Sequence, residues 1–147
     1  MSQPINPVRI AFAGVGYMGQ VAHLRNYAFR DDCQVVAIAE PRSELAAKVA
    51  AEFGVPTLYT DHRQLLDDPN IDAVVASQPH LRNGHIAIAL LKAGKYVFTE
   101  KPMAGSLEEA EAIQAAAEQG GVHLMVGVMK RHDPAVLAAR DLLQGLL

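Results

Sequence analysis

The chain has 147 residues, 50% of them hydrophobic and 20% charged, and its 13 basic and 16 acidic residues leave a formal net charge of −3. Length and composition point to one globular domain, able to bury roughly 68–70% of its unfolded surface. The weak negative balance offers no field for nucleic acid or a membrane surface, the apolar runs are too short to span a bilayer, and the single cysteine, Cys33, excludes an internal disulfide.

Residues 1–7 are polar with two prolines, unlike a signal peptide. With the lone cysteine, this makes a reducing, cytoplasmic compartment the expectation. Short β-rich runs alternate with longer helical patterns through the whole chain. That predicts an α/β fold: a Rossmann-type, doubly wound, mainly parallel six-stranded sheet with helices on both faces, occupying residues 1–147.

The first strand is expected at about residues 8–13, and it runs into Gly14-Val15-Gly16-Tyr17-Met18-Gly19. Gly-x-Gly-x-x-Gly between a strand and a helix is the layout of a dinucleotide-binding turn. Gly14 permits the tight turn, Gly16 lets a pyrophosphate approach the backbone, and Gly19 lets the helix lie against the strand. The unpaired N–H groups of Gly16, Tyr17, Met18 and Gly19, at the positive end of a helix over about residues 18–29, then face the phosphates.

The second strand, about residues 35–39, is apolar throughout and is expected to be buried on both faces. Glu40 follows it, at the spacing where a carboxylate accepts hydrogen bonds from the adenosine ribose and favours NAD. Arg42 pulls the other way, because an arginine there can pair with a 2′-phosphate. The cofactor expected is therefore NAD or NADP, with NAD slightly favoured. The other reading of Glu40 is a surface charge before a helix led by Pro41. That helix covers about residues 43–53, with Leu45, Val49 and Phe53 as an apolar stripe and Gly54 as its stop.

A short third strand is expected at 57–59, then Asp61 as the cap of a short helix carrying Leu65 and Leu66. The fourth strand, 73–76, leads to Ser77-Gln78-Pro79-His80, whose polar groups either meet the nicotinamide-side ribose or form an ordinary loop before a helix over about 81–93. The fifth strand, 96–99, ends in Glu100-Lys101-Pro102. Charges at the end of a buried strand are costly unless paired. A lysine there takes part in proton transfer, or else forms a solvated pair with its neighbour glutamate. Ser106 and Glu109 form the pattern of a capping box for a helix to about residue 119. The sixth strand, 124–128, precedes Met129-Lys130-Arg131-His132-Asp133-Pro134. This stretch either lines a pocket for a hydroxyl-rich ligand or caps the last helix through Asp133. His23, His62, His85 and His123 are scattered and no metal-ligand spacing occurs, so no metal site is expected.

Gly14-x-Gly16-x-x-Gly19 with His23, then Ala93-Gly94-Lys95-Tyr96-Val97, then Glu100-Lys101-Pro102, resembles the Gfo/Idh/MocA oxidoreductases. The Met129–Pro134 stretch is similar to the Arg-x-Asp-Pro segment of the inositol-dehydrogenase-like branch. The resemblance implies hydride transfer between nicotinamide and a secondary hydroxyl of a sugar or cyclitol. It implies that Lys101 is the catalytic lysine, touching substrate hydroxyl and nicotinamide ribose, that Glu100 orients it, and that Pro102 follows a cis bond. Where many members read Thr-Pro-Asn-x-x-His, this chain has Gln78, Pro79, His80 and, in the histidine place, Asn83.

The family's second domain, with the substrate pocket and the partner acid–base groups, is expected to be absent from these 147 residues. The chain is then a cofactor-binding half that binds dinucleotide without turnover. The alternative is a non-catalytic dinucleotide-sensing or protein-interaction module. Leu142, Leu143, Leu146 and Leu147 give the last helix an apolar end suited to self-association. No nucleic-acid or membrane partner is expected.

Overall fold

A computed structural model describes residues 6–79 and 82–145 of the chain. The apolar runs form six strands: β1 (Val8–Ala13), β2 (Cys33–Ala39), β3 (Thr57–Tyr59), β4 (Ala73–Ala76), β5 (Tyr96–Glu100) and β6 (Leu124–Gly127). They pair in the order β3-β2-β1-β4-β5-β6. Every pairing is parallel, so the sheet is wholly rather than mainly parallel. β1 lies between β2 and β4, which places the reversal of strand order at its carboxyl end.

Alternation along β1 divides the core. Ile10 and Phe12 join Leu24, Ile38, Val49 and Val55 on one face of the sheet. Ala11 and Ala13 join Leu90, Leu91 and Ile113 on the other. A register shift between Ile10 and Ala11 lets Val36 slip past, so that Val35 and Ile38 of β2 share a face although they are three apart. A bulge of this kind is the one way to break the two-residue period without turning the strand over. Phe12, Leu24 and Ile38 are fully buried, and each large apolar side chain contributes about 1.5–3 kcal/mol on burial.

The first helical segment departs from the expected α-helix. Residues Gly19–Leu24 wind as a π-turn that runs into α1, Arg25–Tyr27. The Arg25 N–H reaches back five residues to the Gln20 carbonyl. α2 (Ser43–Phe53) ends at Gly54 in the left-handed conformation, as expected of a glycine stop. α2 and the π-turn supply Val49 and Leu24 to the first face, while α3 (Asn83–Lys92) and α4 (Leu107–Gly120) cover the second. Residue 81, expected to open α3, lies outside the described residues.

Ser106 caps α4 by accepting the Glu109 N–H at 3.2 Å. The reciprocal half of the box differs: the Glu109 carboxylate accepts from Gly105 N at 2.7 Å, one residue further out. The complete capping box belongs instead to Asp61 and Gln64, at the 3₁₀ turn His62–Leu65. Lys95 is a buried cation held by two carbonyls, Asp68 O at 2.7 Å and Ile71 O at 2.9 Å, and so fixes the loop entering β4. The last helix, α5 (Pro134–Gln144), has no buried residue, and Leu142 and Leu143 are exposed. Residues 146 and 147 lie outside the described residues. No described helix is long and apolar enough to cross a membrane.

Candidate functional site

The glycine turn sits at the carboxyl end of β1, and its three glycines are required for three different reasons. Gly14 has φ +85°, and its N–H donates to the Ala39 carbonyl at 2.9 Å. A Cβ there would stand 2.7 Å from Gln78 Nε2 and 2.9 Å from the Ser77 carbonyl oxygen. A Cβ on Gly19 would stand 2.8 Å from the Gly14 carbonyl oxygen, so this glycine lets the π-turn close on the strand. A Cβ on Gly16 would meet only the Arg42 guanidinium, at 3.9 Å. Protein packing does not explain Gly16; the space above it is open. The N–H groups of Gly16, Tyr17 and Met18 make no backbone bond among the described residues, and Tyr17 and Met18 are exposed at the rim. Unpaired donors beneath open space at the start of a helical segment form an anion site.

Glu40 leaves the end of β2 directly beside this turn and is buried. One carboxylate oxygen, Oε2, accepts from Val15 N at 3.2 Å and Arg42 Nη2 at 3.0 Å. The other, Oε1, accepts from Arg42 N at 3.2 Å and Arg42 Nε at 2.7 Å. Burial opposes ionisation of Glu40. The Arg42 side chain, the Val15 and Arg42 N–H groups and the Arg42 charge outweigh it, and they hold the carboxyl below the usual carboxylate range. Glu40 is therefore no free surface charge, and Glu40 and Arg42 form one bidentate pair rather than two opposed preferences. Its four in-plane acceptor positions are all taken, so a ribose diol reaches Glu40 only by exchanging with the mostly exposed Arg42 side chain.

Ser77 and Gln78 leave β4 on the other side of β1, with the Ser77 N–H bonded to the Ala13 carbonyl at 3.1 Å. A cleft of about 550 Å³ runs from the turn to the end of β5. Among the expected residues, Gly16, Tyr17, Met18, Ser77, Gln78, Glu100 and Lys101 line it. His80 lies outside the described residues. The Lys101–Pro102 bond is cis.

Lys101 is exposed, which removes burial as the argument for its reactivity; among the described residues its ammonium has no hydrogen-bond or ion-pair partner. Glu100 does not pair with it either. The Glu100 carboxylate meets His23 Nε2 at 2.8 Å instead. Asp133 is a cap: it accepts the Ala135 N–H at 3.0 Å and binds Lys130 Nζ at 2.6 Å. Of the stretch expected either to line a pocket or to cap the last helix, Met129 lines the cleft. Asn83, in the place of the family's usual histidine, is buried and donates to the Glu100 carbonyl at 3.4 Å, while its Oδ1 has no partner among the described residues.

The sequence model of the Gfo/Idh/MocA oxidoreductase family, NAD-binding Rossmann fold, matches residues 8–128. The scyllo-inositol 2-dehydrogenase (NAD(+)) of Bacillus subtilis is 35% identical over 134 residues, 90% of this chain and 39% of the relative. The myo-inositol 2-dehydrogenase of Thermotoga maritima is 31% identical over 126 residues, 86% of this chain and 37% of the relative. Two solved structures superpose closely. The scyllo-inositol dehydrogenase of Lactobacillus casei with bound NAD(H) and scyllo-inositol has a TM-score of 0.84 at 27% identity, covering 95% of this chain and 41% of that one. KijD10, a 3-ketoreductase of Actinomadura kijaniata with NADP, has a TM-score of 0.87 at 28% identity, covering 95% and 44%. The chain thus spans about 40% of the length of the curated relatives it matches.

Proposed function

The chain belongs to the Gfo/Idh/MocA oxidoreductase family, and from that premise we propose that it is the dinucleotide-binding part of a dehydrogenase acting on a secondary hydroxyl of a sugar or cyclitol. The observation that carries the proposal is the open space over Gly16, floored by unpaired N–H groups and placed at the reversal of strand order. The names of the inositol dehydrogenases among its relatives support the substrate class. A bound nicotinamide cofactor supplies the hydride chemistry. The residues of this chain bind and orient it: the Gly16 turn takes the pyrophosphate, Glu40 the adenosine ribose, Ser77 and Gln78 the second ribose, and Lys101 the reacting hydroxyl. Because the Lys101 ammonium has no acid–base partner among the described residues, these 147 residues are proposed to bind cofactor without turnover.

Titration of NADH, followed by its fluorescence, tests the reading. Saturable binding with Kd at or below about 1 mM is expected, a modest requirement of about 4 kcal/mol. No saturation at several times that concentration contradicts it. We propose NAD(H) as the preferred cofactor, since Glu40 is anchored by Val15 and keeps its charge beside the ribose position. Arg42 neutralises that charge. Arg42→Ala is therefore expected to weaken NADPH relative to NADH by about tenfold, because an uncompensated carboxylate repels a 2′-phosphate. An unchanged NADH:NADPH affinity ratio places neither side chain at the ribose.

A further inference from the structure

We propose that His23 is a positioning residue for the nicotinamide end of the cleft, acting through Glu100 and delivered there by the π-turn; the proposal rests on the dinucleotide reading above. His23 lies 77 residues before Glu100 in the chain, yet its Nε2 stands 2.8 Å from Glu100 Oε1. Both side chains are largely shielded, at 12% and 16% exposure. The His23 ring also meets the Phe98 ring edge-on, with centroids 4.9 Å apart. Phe98 and Glu100 alternate along β5 and so point to the same face of the sheet, and His23 is held against both.

The π-turn makes this contact possible. A turn closed by a five-residue bond rotates each residue through a smaller angle than an α-turn, so adjacent side chains stay closer in direction. Leu24 is driven completely into the core while His23, its neighbour, faces the ends of β5 and β6. A regular α-helix separates neighbours by about 100°. π-turns are costly enough to be rare, and they concentrate at functional sites.

Glu100 transmits the contact. Its carboxylate lies on the partition between two cavities. One is the cleft carrying Gly16, Ser77 and Lys101; the other, of about 380 Å³, is lined by His23, Phe98 and Met125. His23 does not line the cleft, so it holds Glu100 from behind. The second carboxylate oxygen accepts the Lys101 N–H at 3.3 Å, and the Glu100 carbonyl accepts Asn83 Nδ2 at 3.4 Å. The peptide that presents Lys101 is thereby tethered at the carboxylate and at the carbonyl. Facing a carboxylate oxygen, Nε2 must carry a proton, which fixes the imidazole tautomer as Nε2–H when the ring is neutral.

The test compares NADH with ADP-ribose, which lacks the nicotinamide, on the wild-type chain, His23→Leu and His23→Gln. Leucine keeps apolar bulk against Phe98 and removes the donor; glutamine keeps an N–H donor. His23→Leu is expected to bind NADH about fivefold more weakly, the scale of one lost buried hydrogen bond, with ADP-ribose affinity unchanged. His23→Gln should recover most of the loss. An NADH:ADP-ribose ratio unchanged in His23→Leu overturns the proposal, and so does equal weakening of both ligands, which is a purely structural effect. A ligand-free measurement separates this inference from the cofactor reading. The Lys101 amide resonance should move in His23→Leu and return toward its wild-type position in His23→Gln. A Lys101 amide that ignores the loss of the imidazole refutes the tether even if cofactor binds. If the wild-type chain binds neither ligand, the cofactor reading fails and the assigned positioning role fails with it, whatever the amide shows.

Discussion

Gly14→Ala is expected to lower folding stability by about 3 kcal/mol or more, from two costs that add. The first is conformational. At φ +85° a Cβ meets the backbone of its own residue, at roughly 1–2 kcal/mol. The second is packing. The new methyl group would stand 2.9 Å from the Ser77 carbonyl oxygen, a backbone atom at the exit of β4, and 2.7 Å from Gln78 Nε2. Gln78 is a flexible side chain and can turn away. Ser77 cannot follow cheaply, because its N–H is bonded to Ala13 in β1. Nor can Gly14 retreat, since its own N–H is bonded to Ala39 in β2. The methyl group is a wedge between β1 and β4 at the middle of the sheet. Urea unfolding should show a lower midpoint with an unchanged slope. A loss below about 1 kcal/mol shows that the turn relaxes, and the argument for Gly14 then fails.

Gly16→Val is expected to do the opposite: to weaken NADH binding about a hundredfold or more, near 2.7 kcal/mol, while the unfolding midpoint stays close to wild type. Gly16 lies outside the left-handed region, so a side chain meets no backbone penalty there. The Cβ finds only the movable end of Arg42 at 3.9 Å. The isopropyl group fills the space over the N–H groups of Gly16, Tyr17 and Met18, where the pyrophosphate is proposed to lie. Two glycines two residues apart are thus predicted to separate stability from binding. Equal NADH affinity in wild type and Gly16→Val contradicts the pyrophosphate placement. A large stability loss in Gly16→Val shows that protein packing, after all, requires the glycine.

Much of this architecture is legible in the sequence because it rests on local rules. The strands at Val8–Ala13, Thr57–Tyr59 and Ala73–Ala76 have their expected bounds, since short β-branched or apolar runs between turn residues have few other uses. Gly54 and Gly121 close helices in the left-handed conformation for the same kind of reason. The parallel sheet follows from the alternation of strand and helix.

What was not legible depends on partners distant in the chain. Nothing around Gly19–Leu24 announces a π-turn, and the contact it is proposed to serve, His23 with Glu100, lies 77 residues on in β5. The register shift beside Ile10 belongs to the pairing of β1 with β2, which local periodicity cannot contain. Glu40 and Arg42 read as opposed cofactor signals because spacing reveals position but not that four hydrogen bonds saturate one carboxylate. For Lys101 the sequence leaves open proton transfer or a solvated pair with Glu100; Lys101 is exposed, and the Glu100 carboxylate pairs with His23, a partner distant in the chain.

The account turns on where a dinucleotide lies, and amide chemical-shift mapping during an NADH titration measures that most directly. Saturable shifts are predicted at Gly14 to Gly19, at Arg42 beside Glu40, and at Ser77 and Gln78, with the nicotinamide end reporting at Lys101. Shifts confined to a groove away from the turn, lined by Leu107 and Gln114 of α4 and Leu124 and Val126 of β6, or no saturable shift at millimolar NADH, contradict the account.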